Sequence, residues 1–262
     1  PEHSFSWRHQ LPMLADTGFT AWAPNLRGYA NSTRPKGLQA YRLDELVEDV
    51  ARLIEASGKS EVTLIAHDWG AVIAWQFALR KRLPLQRLII CNVPHPQAMQ
   101  DAFGWTQLKK SWYVLFFQLP WLPEYLLGKD RAEPIAEMFR KTSANAAQFP
   151  TEVREVYRRN AAQPGALTAM VNFYRALLRG ERSRPRVDPR TPIDVPTLMV
   201  WGEDDVALDK STTLTTADYV SDFTIRYLPG VSHWVQQEQP EAVNNMIKAF
   251  IEGNPVPEYR PG

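Results

Sequence analysis

The sequence predicts an α/β fold, with a mostly parallel sheet flanked by helices on both faces and interrupted by an inserted helical cap. Short apolar, β-rich runs alternate with longer segments of helical periodicity, as in sheets built from crossover units. Between residues 97 and 188 the strand signal disappears and helical patterns remain. The chain has 262 residues, 44% hydrophobic and 23% charged, which suits one large domain with an insertion.

The first elements of the core are predicted in chain order. A helix is expected over Ser6–Ala15 and a short strand over Phe19–Pro24. Leu43–Ser57 has apolar residues at helical spacing, and Gly58 stands where a helix ends. Glu61–Ala66 is a continuous apolar run, which is typical of a strand buried on both faces of a parallel sheet.

The remaining core elements stand on either side of the insertion. A helix over Trp69–Arg80 follows at once, and its small residues let it lie close to the sheet. Arg87–Asn92 is predicted to be the next strand. Beyond the insertion, Pro196–Trp201 and Asp222–Tyr227 are predicted strands, and Pro240–Ile251 is the last predicted helix.

The segment 97–188 consists of helical patches broken by prolines. It has more large aromatic side chains than a plain connector needs, so a lid over a site is the economical interpretation. The basic, proline-containing stretch 182–192 leads back to the sheet. The predicted division is therefore a core of residues 1–96 and 189–262 with a cap of residues 97–188.

Charge and cysteine content exclude several classes of partner. Thirty Lys and Arg residues against 29 Asp and Glu leave a net charge of +1, so the composition carries no footprint for nucleic acid or an anionic membrane surface. No apolar run approaches the roughly 18 residues of a membrane span. Cys91 is the single cysteine, which excludes an intramolecular disulfide and fits a reducing, cytoplasmic compartment. Because the chain begins at Pro1, we expect a segment to precede it.

The most informative segment is Ala66-His67-Asp68-Trp69-Gly70, where a buried strand turns directly into a helix. Such a turn strains its central residue, and small residues two positions away on each side let the strand and helix approach. This is the geometry of a nucleophile elbow, with Asp68 in place of serine. A carboxylate at this position attacks a carbon electrophile and forms an alkyl ester, which water must then cleave.

Cleavage of the ester needs a base that a third group holds in place. His233 follows the last predicted strand, at a carboxyl end of the sheet where such sites gather. Asp205 follows the strand that ends at Trp201 and is the predicted orienting acid, with Asp204 as its nearest rival. The sequence thus predicts a triad of Asp68, Asp205 and His233, in that chain order.

With this order, the chain resembles an α/β-hydrolase of the epoxide hydrolase and haloalkane dehalogenase group, and most of all an epoxide hydrolase, over essentially its whole length. The matching segments are Pro1-Glu2, Ser6-Trp7-Arg8, Ala23-Pro24-Asn25-Leu26-Arg27-Gly28-Tyr29, His67-Asp68-Trp69-Gly70, Asn92-Val93-Pro94-His95-Pro96, Gly202 to Asp205 and Gly230 to Trp234. The resemblance implies an α/β-hydrolase fold and the addition of water to a small apolar epoxide to give a vicinal diol. It implies no metal and no organic cofactor.

Two tyrosines distinguish the branches of this group. An epoxide oxygen leaves as an alkoxide and needs a donor, whereas a halide leaves as a stable anion. The resemblance places two lid tyrosines over the nucleophile, and the segments 112–118 and 172–175 are similar to the segments that carry them. Tyr113 and Tyr174 are therefore the expected donors to the epoxide oxygen. Tyr157 and Tyr125 are the alternatives.

Further contacts are expected around the nucleophile. The backbone N–H of Trp69 supplies one oxyanion donor, and the side chains of Trp69, Trp112, Phe117 and Trp234 are expected to contact substrate. Epoxide hydrolases carry a His-Gly-x-Pro loop that supplies another oxyanion donor, and only its proline is present, as Pro1. That loop and the strands before it are expected to lie outside the given residues.

Two other functions stay open. A haloalkane dehalogenase would share Asp68 and His233 and would hold halide with the indole N–H of Trp69. A catalytically silent binding homologue is the other alternative, although a pure binder has no need of the whole triad. The sequence leaves open the preferred epoxide, the carbon attacked, the enantiomer and the oligomeric state.

Overall fold

The computed structural model describes residues 1–180 and 187–260. Its strands are β1 (Val62–His67), β2 (Leu85–Cys91), β3 (Thr197–Gly202) and β4 (Phe223–Leu228). Its α-helices are α1 (Gln10–Asp16), α2 (Leu43–Ser57), α3 (Asp68–Leu79), α4 (Pro96–Asp101), α5 (Trp105–Lys110), α6 (Trp112–Phe116), α7 (Leu122–Leu127), α8 (Lys129–Thr142), α9 (Thr151–Ala161), α10 (Ala166–Arg179), α11 (Val235–Glu238) and α12 (Pro240–Ile251). None of the helices within these two ranges is both long and apolar enough to cross a lipid bilayer.

The four strands form one sheet in the order β1-β2-β3-β4. Val62 of β1 pairs with Leu85 of β2, and Thr197 of β3 pairs with Leu88 on one side and Phe223 on the other. All three pairings are parallel, so the carboxyl ends of the strands meet at one edge. The prediction of a mostly parallel sheet flanked by helices is confirmed.

Helices α2 and α12 begin and end at the predicted residues. Asp44 and Glu45 lie in the first turn of α2, where carboxylates suit the positive end of the helix dipole. Gly58 ends this helix with a φ of 68°, a left-handed conformation that glycine adopts without a Cβ clash. Pro240 stands at the start of α12, where its missing N–H is not needed. Local sequence is sufficient for both helices.

The predicted strand Phe19–Pro24 is wrong, because these residues join no hydrogen-bonded ladder. A strand needs a backbone partner, and here a cavity of about 600 Å³ is lined by both this segment and β1. The predicted helix Ser6–Ala15 is also divided. A 3-10 turn covers Ser4–Trp7, and α1 begins at Gln10, which places Pro12 in the first helical turn where it is tolerated.

A helical insertion separates β2 from β3. Between these two strands the described residues form helices α4 to α10 and no strand. Helix α9 packs against α8, and α10 packs against α7 and the 3-10 turn Leu38–Tyr41. The segment predicted as a cap, 97–188, is thus helical where it is described. Residues 181–186, which belong to this segment and to the basic stretch, lie outside the described residues.

The insertion and the sheet helices share a hydrophobic core. Phe139 of α8 and Phe173 of α10 are buried together with Trp69 of α3 and with Trp234, which follows β4. The ring of Phe139 lies 4.6 Å from that of Trp234, and the ring of Phe173 lies 5.3 Å from that of Trp69. Burial of a phenylalanine contributes about 1.5–3 kcal/mol. This packing holds the insertion at the carboxyl edge of the sheet.

Candidate active site

A sharp turn joins β1 to α3 and carries Asp68. His67 has extended backbone angles, whereas Asp68 has a left-handed φ of 47°. A non-glycine residue in that region stores roughly 1–3 kcal/mol of strain and persists where its surroundings enforce it. A Cβ on Gly70 would lie 3.9 Å from Cβ of Ala66, so the strand and the helix pack closely. The turn has the geometry of the predicted elbow, and its carboxylate is partly exposed.

His233 lies between two carboxylates. Its Nε2 atom is 3.6 Å from Oδ1 of Asp68, and its Nδ1 atom is 2.7 Å from Oδ2 of Asp205. Asp205 is buried, while its rival Asp204 is exposed to solvent. The structure therefore brings the three predicted triad residues together and separates Asp204 from them.

The carboxylate of Asp205 is held by three further donors. Its Oδ2 atom accepts a hydrogen bond from the side-chain amide of Asn92 at 2.8 Å, and Oδ1 accepts from the backbone N–H groups of Ala207 and Leu208 at 2.7 and 2.9 Å. Asn92 follows β2 directly, so it stands at the same sheet edge as the elbow. Sequence reasoning gave it no role, although a polar residue just after a parallel strand was the available signal. These bonds let a buried acid stay ionised.

The three triad groups shift one another's pKa values. Burial favours the neutral form of Asp68, but the hydrogen bond and charge of His233 outweigh it and lower the pKa of that carboxyl. Burial likewise opposes ionisation of Asp205, whose pKa the facing imidazole also lowers. Burial acts to lower the pKa of His233, and the two carboxylates raise it well above its ordinary value. These shifts favour an imidazolium between two carboxylates in the resting site.

Tyr113 and Tyr174 meet next to the elbow. Their rings are 5.8 Å apart, and the ring of Tyr174 packs edge-on against that of Trp69 at 5.0 Å. Phe117 contacts both phenols, at 5.9 Å from Tyr113 and 4.8 Å from Tyr174. Burial, and then the nearby charge of Asp68, raises the pKa of each phenol, so both keep their protons. Two neutral O–H donors are thus available beside the carboxylate.

The other predicted contacts are placed differently. Trp112 is exposed on the surface of the insertion. Trp234 is buried, with its ring 4.9 Å from that of His233. Of the alternative tyrosines, Tyr125 is exposed, and Tyr157 is buried with its hydroxyl donated to a core glutamine at 2.7 Å. Neither alternative joins the two phenols next to Trp69.

A second histidine–carboxylate pair, which the sequence did not predict, lies beside the triad. Nδ1 of His67 is 2.5 Å from Oε2 of Glu2, and Nε2 donates to the backbone carbonyl of His233 at 2.9 Å. Burial favours the neutral form of Glu2, but His67 outweighs it and lowers the pKa. The pair thereby anchors the backbone that carries the catalytic imidazole candidate. Both residues lie in segments that carried the resemblance, but no spacing rule joins positions so far apart.

The surroundings of Asp68 offer a backbone donor and an adjoining space. The N–H of Trp69 lies in the first turn of α3, where N–H groups have no helical acceptor. Within residues 1–180 and 187–260, no group of three or more His, Cys, Asp or Glu side chains is arranged to hold a metal ion. The cavity of about 600 Å³ reaches Asp68 and is also lined by Leu26 and Tyr29. Part of this cavity adjoins Asp68, and the rest runs along β1 and the segment Phe19–Pro24.

The chain is similar to known proteins in sequence and in fold. Residues 1–240 match the family described as alpha/beta hydrolase fold. Over 267 residues the chain is 35% identical to epoxide hydrolase 2 of Caenorhabditis elegans, covering 100% of this chain and 73% of that protein. It is 34% identical to the AB hydrolase superfamily protein YfhM of Bacillus subtilis, covering 96% of this chain and 87% of that protein.

A solved structure gives the same result. A mutant epoxide hydrolase from Bacillus megaterium, complexed with its naphthyloxy-propanediol product, superposes with a TM-score of 0.84 at 29% identity, covering 96% of this chain and 90% of that chain. The fold and these similarities define an α/β hydrolase. The chain belongs to the α/β-hydrolase superfamily, in its epoxide hydrolase group, as the resemblance in sequence predicted.

Proposed function

We propose that the chain is an epoxide hydrolase that converts an apolar epoxide and water to a vicinal diol through an alkyl ester on Asp68. The observation that carries the proposal is the meeting of Tyr113 and Tyr174 next to Trp69. Two neutral phenols beside an ionised carboxylate suit an electrophile whose leaving group is an oxygen of the same molecule. In this proposal residues 97–188 act as the cap, and residues 1–96 and 189–262 as the core.

The first half-reaction forms the ester. A carboxylate oxygen of Asp68 attacks one ring carbon, and the bond from that carbon to the epoxide oxygen breaks. Tyr113 and Tyr174 hydrogen-bond the oxygen, and one of them transfers its proton as negative charge develops. The lowered pKa of Asp68 keeps the nucleophile ionised, and the raised pKa values of the phenols keep the donors protonated before the reaction.

The second half-reaction cleaves the ester with water. Once Asp68 is esterified, it no longer raises the pKa of His233, so the imidazolium can pass its proton through solvent to the tyrosinate and become a base. His233, oriented by Asp205, takes a proton from water, and the hydroxide adds to the ester carbonyl while the N–H of Trp69 holds the oxyanion. Collapse releases the diol with the proton from His233. Ionisation of the Asp68 acid then returns a proton to His233 and restores the resting site.

The dehalogenase alternative makes a different demand on Trp69. Halide binding would need the indole N–H, and in this chain the Trp69 ring packs edge-on against the phenol of Tyr174 at 5.0 Å. The two phenol donors at this position favour epoxide opening, because a departing halide needs no proton donor. The product bound to the Bacillus megaterium enzyme is a diol with an aromatic substituent, which supports an apolar epoxide with a similar substituent as the substrate class here.

Trapping of the ester tests the proposal. His233→Gln removes the base and leaves the nucleophile, so incubation with styrene oxide should add the mass of one epoxide to the intact protein. Peptide mapping should place that mass on Asp68. As a matched control, His9→Gln changes the histidine directly before α1, outside the site, and should form diol without accumulating an adduct.

The opposite results are equally specific. The double variant Asp68→Asn/His233→Gln lacks the nucleophile and should show no added mass of epoxide. If folded His233→Gln forms no adduct and the unsubstituted protein forms no diol from a panel of aryl and alkyl epoxides, the proposal fails and a binding homologue is favoured. Halide release from haloalkanes without diol formation would instead identify a dehalogenase.

A further inference from the structure

The helical insertion exposes an unusual amount of apolar surface. Of the 15 large hydrophobic side chains exposed in the described residues, 10 lie on the insertion. Trp105, Trp112 and Trp121 are exposed by 80%, 64% and 70% within one stretch of 17 residues. Patches of this kind on a folded protein mark interaction sites. We call the surface formed by Trp105, Trp112, Leu115, Leu119, Trp121 and Tyr125 the aromatic cap face.

The aromatic cap face is carried by a fixed backbone. Helices α5, α6 and α7 follow one another, and hydrogen bonds attach the segment after α6 to α10. The side-chain amide of Gln118 donates to the carbonyl of Tyr174 at 3.1 Å, and the Arg175 guanidinium donates to the carbonyls of Phe117 at 3.0 Å and Leu119 at 2.5 Å. The tryptophans are therefore presented outward by packed helices.

Exposed cations stand around this face, although the net charge of the whole chain is only +1. Residues 101–130 contain three lysines and three carboxylates. Lys110 lies 3.5 Å from Asp209, and Glu124 is paired with Arg175 at 2.5 Å. Lys109 and Lys129 are exposed, and Nζ of Lys129 lies 5.5 Å from the ring centre of Tyr125. Arg179, at the end of α10, is also exposed. The face thus combines tryptophan rings with exposed cations.

We propose that the aromatic cap face docks on the surface of an anionic phospholipid bilayer. Tryptophan rings are amphipathic and favour the headgroup region, while Lys109, Lys129 and Arg179 would meet lipid phosphates. A symmetric dimer through the same face is disfavoured, because it would set these cations against their copies. Docking would place the cap at the bilayer, into which apolar molecules partition. The docking does not depend on a catalytic role of the triad.

Vesicle sedimentation tests the docking with the full chain. We expect the protein to sediment with vesicles of phosphatidylcholine and phosphatidylserine, and less with pure phosphatidylcholine. Added salt should weaken binding to the mixed vesicles. Trp105→Ala/Trp112→Ala/Trp121→Ala should lower partitioning at least about tenfold, as expected from the loss of three buried aromatic rings. Lys109→Gln/Lys129→Gln should remove most of the preference for phosphatidylserine.

The control is Trp22→Ala, which removes an exposed tryptophan outside the aromatic cap face and should bind vesicles normally. The proposal is overturned if the unsubstituted chain does not sediment with either vesicle, or if the triple tryptophan variant binds as well as the original. A concentration-dependent dimer that the triple variant abolishes, with no vesicle binding, would assign the face to self-association instead. If circular dichroism shows that the triple variant is unfolded, Lys109→Gln/Lys129→Gln becomes the deciding variant. The proposal then fails if this variant keeps the full preference for phosphatidylserine.

Discussion

At the scale of single residues, the site depends on how charged groups set one another's protonation. His233 faces Asp68 at 3.6 Å and Asp205 at 2.7 Å, and each carboxylate raises the pKa of the imidazole against the effect of burial. The two acids are not equivalent. Asp205 keeps its charge throughout the proposed cycle, whereas Asp68 becomes a neutral ester halfway through it. The protonation of His233 is therefore coupled to the state of the nucleophile.

Asp68→Asn should reproduce the electrostatic effect of the ester. The amide keeps the shape of the side chain and removes its charge, so the pKa of His233 should fall. NMR titration of the His233 ring in both proteins measures the change. Asp204→Asn, an exposed neighbouring acid, serves as the control. An unchanged pKa in Asp68→Asn would contradict the coupling.

Substitution should show that the two phenols act in epoxide opening and are not needed for attack by the triad nucleophile on other substrates. Tyr113→Phe or Tyr174→Phe keeps the buried ring and removes one donor, which should reduce the rate of epoxide opening by about 10²–10³. The double substitution should abolish opening and leave any halide displacement intact. Stopped-flow formation of the ester measures the step directly. Tyr125→Phe, on the exposed surface, should have no effect, and full activity of the double variant would exclude the assigned role.

At the scale of elements, the strand β3 positions the acid and the histidine together. Gly202 ends β3, and its backbone N–H donates to Oδ1 of Asn92 at 2.8 Å. A Cβ at this position would stand 2.0 Å from the carbonyl oxygen of Ser232 and 2.6 Å from that of Val231. The loop that carries His233 thus passes directly over a residue that must lack a side chain.

Gly202→Ala should consequently displace this loop. Because backbone atoms would have to move, we expect a loss of about 3 kcal/mol or more in the free energy of unfolding and loss of turnover. Urea unfolding and diol formation measure the two effects. At Gly104, the nearest atom to an added Cβ is 3.9 Å away, so Gly104→Ala should change the stability by no more than about 1 kcal/mol. Equal stability of Gly202→Ala and Gly104→Ala would contradict the close approach.

Elements also differ in how well the sequence predicted them. Helices α2 and α12 have caps and apolar spacing that act within the helix, and both have the predicted bounds. The β-rich pattern of Phe19–Pro24 was equally clear, yet no strand forms, because a strand depends on a backbone partner. The elbow could be located because a buried strand and a helix meet there without a loop. The link between Glu2 and His67 could not, because it joins distant segments.

At the scale of the whole molecule, Cys91 reports on global unfolding. It ends β2, is completely buried, and is the single cysteine of the chain. Burial raises the pKa of its thiol to about 12, so the reactive thiolate is scarce in the folded protein. Insertion helices and sheet helices share a core above the same sheet, which predicts that the two parts unfold together.

Cys91 should therefore resist a thiol reagent in native buffer and react in proportion to the unfolded fraction as urea is added. The labelling curve should coincide with the loss of circular dichroism. Cys91→Ser provides the blank for the reagent. Rapid labelling without denaturant would mean that the carboxyl end of β2 opens locally. A labelling transition at a much lower urea concentration than the loss of circular dichroism would mean that the insertion and the sheet unfold separately.

The sequence by itself determined the alternation of strands and helices, the helical insertion and the family, because periodicity, capping residues and short motifs act over a few neighbouring residues. It also located Asp68 and His233. The tertiary structure alone decided between Asp204 and Asp205, since neighbouring residues point in different directions and only one reaches the imidazole. The tertiary structure alone likewise placed Asn92 and Glu2 beside the triad and showed the exposed tryptophans of the insertion. Burial and contact depend on which distant segments the fold brings together, and one-dimensional spacing does not encode that proximity.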